Sequence, residues 1–218
     1  MTGGRAIVPI LAGVFLALIT APALAADDSE PKYEALVQRL KAGDLDVDFE
    51  ALRMAYTRSD YYLATDDADL AELRGAMFQA LSVGDLATAG ERAQRILDLV
   101  YVDIDAHLVM GIVDRRTNDD AKAEFHRAIA MGLLESIRDS GDGKSTDTAF
   151  VVISSDEEFA LLRSQGLQPK GRSMIRGDGK AFDVIDAADD AGHKGRLYFN
   201  VSIPLGQATP EAKQPSNN

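Results

Sequence analysis

Ser140-Gly-Asp-Gly-Lys-Ser-Thr-Asp-Thr-Ala-Phe-Val-Val-Ile153 is where the chain changes character. Before it, apolar residues recur at the three- and four-residue spacing of helices; after it, they form short runs parted by tight-turn residues. The stretch opens with small and polar residues, more than a turn needs, and closes on Ala149-Phe-Val-Val-Ile153, a buried type of strand. The expected architecture is α+β. A helical hairpin array occupies residues 26–139, and a small, mainly antiparallel sheet with one helix occupies 140–205. The 140–148 loop joins them.

Upstream, Pro31 stands where a first-turn proline belongs, and Tyr33, Leu36, Val37 and Leu40 follow in helical register. A second helix from Asp48 carries Phe49, Leu52 and Tyr56, with Arg53 on its flank. After the polar connection Ser59-Asp60-Tyr61-Tyr62, residues 69–83 carry Leu70, Leu73, Met77 and Leu81. Residues 86–100 bury Ala89, Ala93, Ile96, Leu97 and Val100. A further helix carries Leu108, Val109, Ile112 and Val113, and Asn118-Asp119 caps one with Ala121, Phe125, Ala128 and Ile129 inward. Ala89-x-x-x-Ala93-x-Arg95-Ile96 aligns with Ala121-x-x-x-Phe125-x-Arg127-Ala128 at an offset of about 32 residues, near the roughly 34-residue period of tetratricopeptide hairpins. Ala93 stands where that motif has a large aromatic, so an ordinary antiparallel bundle is an equal reading of residues 67–134.

Downstream, Ser155 with Glu158 three residues on forms a capping box, and Phe159, Leu161 and Leu162 lead to Gly166. Residues 173–176 and 180–186 flank Gly177-Asp178-Gly179, a hairpin turn because Asp-Gly accepts positive φ. Residues 197–203 alternate, putting Tyr198 and Asn200 on one face and Phe199 on the other. The polar tail over 206–218 is expected to be disordered.

The first residues read as an export signal: Arg5, an apolar run from Ala6 to Ile19, then Ala23-Leu24-Ala25 as a cleavage site, with an uncleaved anchor as the competing reading. The chain carries 23 basic and 35 acidic side chains, a formal charge of −12, and removing residues 1–25 leaves it more acidic still. That balance argues against nucleic acid and anionic lipid as partners. With no cysteine, disulfides, a thiol nucleophile and a lipid-modified N-terminus are all excluded. A periplasmic or secreted protein without stable membrane insertion is expected.

Gly141-Asp142-Gly143-Lys144 before Ser145 invites a phosphate-loop reading, which fails because Arg138 occupies the first glycine position. A calcium loop fails too, since Arg138, Ser140 and Ala149 fall on ligand positions. Asp139, Asp142 and Asp147 remain weak cation candidates. The same tetrapeptide recurs at 177–180, where a turn explains it. His126 is the candidate general base, with Ser140, Ser145 and Lys144 in the loop it leads to; a half-buried histidine holding a carbonyl is the plainer reading. Gly141, Asp142, Gly143, His107, Tyr198 and Asn200 are candidate binding residues. Tyr33, Tyr56, Tyr61 and Tyr62 fit either a groove for an extended peptide or the core. No metalloprotease, nucleophile-elbow or dinucleotide motif is present, so no cofactor is expected.

Asp48-Phe49, Leu52-Arg53, Tyr56, Ala106-His107, His126, Gly132-Leu133-Leu134, Ser136-Ile137, Ser140-Gly-Asp-Gly-Lys144, Ala149-Phe150, Glu157-Glu158-Phe159 and Leu197-Tyr-Phe-Asn-Val201 occur in that order. Together they resemble domain of unknown function 4919, a group of exported bacterial proteins. The resemblance implies no activity; it implies that His126 and the Ser140–Ser145 loop belong to a shared feature. Two functions are carried forward. One is a binding or scaffolding module for another envelope protein or peptide, using the helices and the loop. The other is a hydrolase or transferase with His126 as base.

Overall fold

The computed structural model describes residues 32–62 and 68–206; the export segment over 1–25 and the tail beyond Gly206 lie outside the described residues. The helical part runs α1 (Tyr33–Lys41), α2 (Phe49–Thr57), α3 (Ala68–Ser82), α4 (Leu86–Leu99), α5 (Ile104–Arg116) and α6 (Asp120–Asp139). Then follow β1 (Phe150–Val151), α7 (Ser155–Ser164), β2 (Gln168–Gly177), β3 (Lys180–Ala188) and β4 (Lys194–Asn200). This is the expected α+β order. Among the described residues, no helix is long and apolar enough to cross a membrane.

Aspartate starts most of the helices. Asp48, Asp85, Asp103 and Asp119 each accept a hydrogen bond from the third helical amide, those of Ala51, Thr88, Ala106 and Lys122, at 2.9, 3.1, 2.8 and 3.2 Å. Each satisfies an orphan amide and sets negative charge at the positive end of the helix, an effect of about 1 kcal/mol apiece. Helices α3 and α4 form one hairpin and α5 and α6 the next. Small residues set their spacing: Ala89 and Ala93 are fully buried, and a Cβ at Gly90 would sit 3.3 Å from Val113. Where a large aromatic was wanted, Ala93 admits the neighbouring helix. Helix α2 crosses α6 at Gly132, where any side chain would collide with the Phe49 ring.

The sheet has the order β1-β4-β3-β2, with β1 parallel to β4 and the other pairs antiparallel. The Asp178-Gly179 turn has φ of 51° and 74° and joins Gly177 to Lys180 as a two-residue loop. β2 and β3 extend beyond the expected segments, to 168–177 and 180–188. The run from Ala149 to Ile153 pairs as a strand only over Phe150 and Val151, because Ser154 turns the chain into α7. Ser154, not Ser155, is that cap, accepting from Glu157 N at 3.4 Å, and this moves the acidic capping position from Glu158 to Glu157. The described residues belong to one compact unit, with a hydrophobic core continuous from Tyr33 on α1 to Val201 beyond β4.

Candidate functional site

The loop after α6 is closed upon itself. Ser140 Oγ donates to Ile137 O at 2.6 Å and accepts from Val151 N at 2.8 Å. The amides of Asp142 and Gly143 both donate to Thr148 O, at 3.0 and 2.8 Å. Asp142 Oδ1 accepts from Lys144 N at 3.1 Å and Thr148 Oγ1 at 2.6 Å, and Lys144 Nζ lies 2.9 Å from Oδ2. These donors, Thr148 first, hold the Asp142 carboxyl down to about 2. Ser145 Oγ faces Thr148 Oγ1 at 3.2 Å. The glycines are required by packing: a Cβ at Gly141 would strike the Thr148 carbonyl, and Gly143 (φ 67°) lies against the Phe150 ring. Gly143 O then accepts from Tyr198 N at 2.9 Å, tying the loop to β4. Asp139 and Asp147 are exposed, and among the described residues no three acidic or histidine side chains gather as a metal site.

His126 lies elsewhere. It and Ser140 sit on one continuous helix, three to four turns apart, roughly 20 Å, so the base and the loop hydroxyls do not share a site. Its neighbour is His107, wholly buried on α5. A carbonyl can only accept, so His107 Nε2, 2.8 Å from Tyr101 O, carries the proton, and its Nδ1 accepts from His126 Nδ1 at 2.9 Å. His126 Nε2 then faces Asp114 Oδ2 at 3.9 Å. Burial drives His107 down to about 3 and lowers His126, while it raises Asp114, whose Oδ2 is buried without a hydrogen-bond partner among the described residues. His107 thus works as a neutral bridge between a backbone carbonyl and His126. His193 pairs with Asp189 at 2.8 Å in an exposed loop.

The tyrosines pack on one another. Tyr33–Tyr56 and Tyr56–Tyr62 have ring centroids 5.1 and 5.3 Å apart, and Tyr62 donates to Ile153 O at 2.7 Å. Burial pushes Tyr33 and Tyr62 up. Tyr61 alone of the four is exposed. Tyr198 and Asn200 share the face away from Phe199, as the alternation requires, and Asn200 Oδ1 accepts from Ser202 N at 3.1 Å.

Arg53, expected on a helix flank, is instead the largest fully buried side chain. Its Nε and Nη2 reach Glu157 Oε1 and Oε2 at 2.7 and 2.6 Å, Nη2 reaches Val151 O at 2.8 Å, and Nη1 reaches Ser136 Oγ at 3.3 Å. Ile153 N also donates to Glu157, at 2.9 Å. One guanidinium therefore binds α2, α6, β1 and α7 together. Beside it Arg74 joins Asp103 and Asp156, and Arg163 joins Asp105, whose carboxyl burial pushes up to about 6. Arg74, Asp103, Asp105, Asp156 and Glu157 rim a cavity of about 30 Å³, room for one water. Their sequence separations left no local signal.

The open surface is at the other margin of the sheet. All ten residues of β2 are exposed, while its neighbour β3 is almost wholly buried, and among the described residues no strand pairs with the outer edge of β2. A two-residue hairpin makes Gly177 and Lys180 a hydrogen-bonded pair, so Ile175 and Ser173 bond inward and Met174 and Arg176 turn their N–H and C=O outward. On the face away from α7, Ile175 pairs with Phe182 and floors a cleft of about 310 Å³. Thr146 and Asp147, from the loop after the first Gly-Asp-Gly-Lys, form one wall; Asp178 and Lys180, from the second copy, form the other. Neither Arg176 nor Lys180 has an ion-pair partner among the described residues. Sequence reading treated the two copies separately, and the fold brings them to one cleft.

These features define a class: an α+β protein whose helical array and mixed four-stranded sheet share one core and leave one edge strand open. The model of the family described as a domain of unknown function (DUF4919) matches residues 22–209, and the chain belongs to that family. No curated protein and no solved structure matches it.

Proposed function

We propose that the protein is an exported binding module that receives an extended segment of an envelope protein or peptide as a fifth strand on β2. The observation that carries the reading is the ten-residue edge strand, exposed throughout, beside a nearly buried neighbour. An edge with outward amides and carbonyls is a template for strand addition, in which the main chain supplies affinity. Pro169 and the bulge between Pro169 and Gly171 break that template at one end, and the regular part begins beyond them. A second copy is a poor occupant. Antiparallel self-pairing about Met174 would set Arg172 opposite Arg176, like charge on like. The seam loop serves as a wall of the site, and its glycine-rich start is not a donor, because the amides of Gly141 to Lys144 are spent internally. Export rests on the N-terminal signal segment, and places the module in the periplasm or outside the cell. The hydrolase or transferase alternative needs a base beside the loop hydroxyls, and no observation above favours it.

The test is a single-residue block. In Met174→Pro the ring replaces an outward N–H, so the bonds from β2 to β3 survive while strand addition is obstructed. A ten-residue peptide of alternating valine and glutamate, titrated into the labelled protein, should shift the amides of Met174 and Arg176 first. Met174→Pro should abolish the binding with an unchanged melting midpoint. Equal binding to both proteins would refute the reading. A reporter enzyme active only outside the cytoplasm, fused after residue 30, should be switched on and carry Ala26 at its new N-terminus.

A further inference from the structure

We infer that the strand received on β2 is chosen by two adjacent residues: an apolar one opposite Ile175 and an acidic one opposite Arg176. The inference rests on the strand-addition reading and specifies its partner.

Side chains of an added strand alternate between the two faces of the sheet. The residue opposite Ile175 falls on the face of Ile175 and Phe182, and so over the cleft between the 144–148 loop and the Asp178-Gly179 turn. The floor of that cleft is apolar, and Ile175 is 41% exposed, a large hydrophobic surface left for a partner to cover. Its walls set Asp147 and Asp178 against Lys180 and Arg176, so their charges offset one another, and the apolar floor of Ile175 and Phe182 decides that an apolar side chain is the one that gains by entering. The next residue of the added strand lies opposite Arg176 and faces the α7 side. The nearest carboxylate on that face, Asp183, lies diagonal to Arg176 and is held by Arg172. Arg176 is therefore a cation with no ion-pair partner among the described residues, on a chain of net charge −12. A carboxylate beside it gains a cross-strand pair, and a lysine meets like charge.

Four ten-residue peptides, identical except for Val-Glu, Val-Lys, Thr-Glu or Thr-Lys at two central positions, test this against the full mature chain by fluorescence anisotropy. Val-Glu should bind tightest. Replacing its valine by threonine should weaken binding about tenfold, and replacing its glutamate by lysine about fivefold. Arg176→Glu should reverse the Glu-over-Lys preference, and Ile175→Ser should erase the Val-over-Thr preference. If all four peptides bind alike and Met174→Pro blocks them all, strand addition stands and this inference falls. If none binds, both fall. A dimer in sedimentation that Met174→Pro dissociates would make a second copy the occupant and overturn the inference.

Discussion

Replacing Arg53 by methionine tests what holds the sheet to the helices. The substitution keeps a long unbranched side chain and removes the hydrogen bonds to Glu157, Val151 O and Ser136. What remains is a Glu157 carboxylate whose side chain is 5% exposed, with the Ile153 amide as its surviving donor among those contacts. Were the pair on the surface, its loss would cost at most about 1 kcal/mol. Buried, it leaves an uncompensated charge in the core and should cost about 3–5 kcal/mol. For a chain of this size that lowers the melting midpoint by roughly 6–20 °C. The double variant Arg53→Met/Glu157→Gln removes both charges while keeping an acceptor for the Ile153 amide, and should recover more than half of the loss; Val151 O stays unsatisfied, at about 1–3 kcal/mol, so recovery is partial. Urea unfolding at pH 7 followed by circular dichroism measures all three proteins, and equal slopes would show that the denatured state is unchanged. Arg196→Met, which removes an exposed pair with Asp186, is the control and should leave the midpoint in place. A single variant that loses less than about 1 kcal/mol, or a double variant no better than the single, refutes the buried-junction reasoning.

Gly143→Ala should cost about 2 kcal/mol or more, against about 1 kcal/mol for Gly166→Ala. Both glycines have positive φ, and only Gly143 has a ring where the methyl would go, so chemical denaturation of the two isolates the clash with Phe150. Burial raises Glu158 to about 8 from an ordinary 4.5, so above pH 4.5 the unfolded chain releases this proton first and stability falls until the folded carboxyl ionises near pH 8. Glu158→Gln lacks that loss: its melting midpoint should gain on the parent from pH 5 to pH 8 and hold level beyond, and a constant difference would contradict it. His107 has the opposite sign, since its folded value near 3 lets the unfolded chain take up a proton below about 6.5, and stability declines on acidification. The ring proton shifts of His107 should accordingly stay constant from pH 8 to pH 5 in nuclear magnetic resonance spectra. Residues 26–139 alone should give no sharp thermal transition, because Arg53 would lose Glu157, Arg74 would lose Asp156 and Tyr62 would lose Ile153.

Local spacing carried the helices, because a stripe at i, i+3, i+4 and i+7 is a property of consecutive residues, and the aspartate caps and the Asp178-Gly179 turn are local as well. Arg53 shows where such reading stops. Phe49, Leu52, Arg53 and Tyr56 occupy that same stripe, so the buried position was visible and the charge was the anomaly. A cation on a buried stripe demands an anion, yet nothing near it in sequence says that the anion is Glu157. The capping box failed by one residue for a related reason. Ser154 and Ser155 are chemically equal, and the choice between them was made by where the parallel pairing of β1 with β4 ended, a contact with residues near 200.

Pairing His126 with the loop came from reading adjacency along the chain as adjacency in space, and a helix is the element for which that fails most. Each residue of α6 adds about 1.5 Å of rise, so a loop at its end is remote from its first turns. The open edge, by contrast, was written in composition. Gln168-Pro-Lys-Gly-Arg-Ser-Met-Ile-Arg-Gly177 contains two adjacent large apolar residues, Met174 and Ile175, which a strand must send to opposite faces. Neither face then has a row to bury, and Pro169 cannot donate to a second ladder, so the segment can lie only at the margin of a sheet. What composition could not give was its neighbour across the cleft. The 144–148 loop reaches Ile175 because Gly143 bonds to β4, and that bond follows from the parallel register of β1, the one strand pairing that no turn dictates.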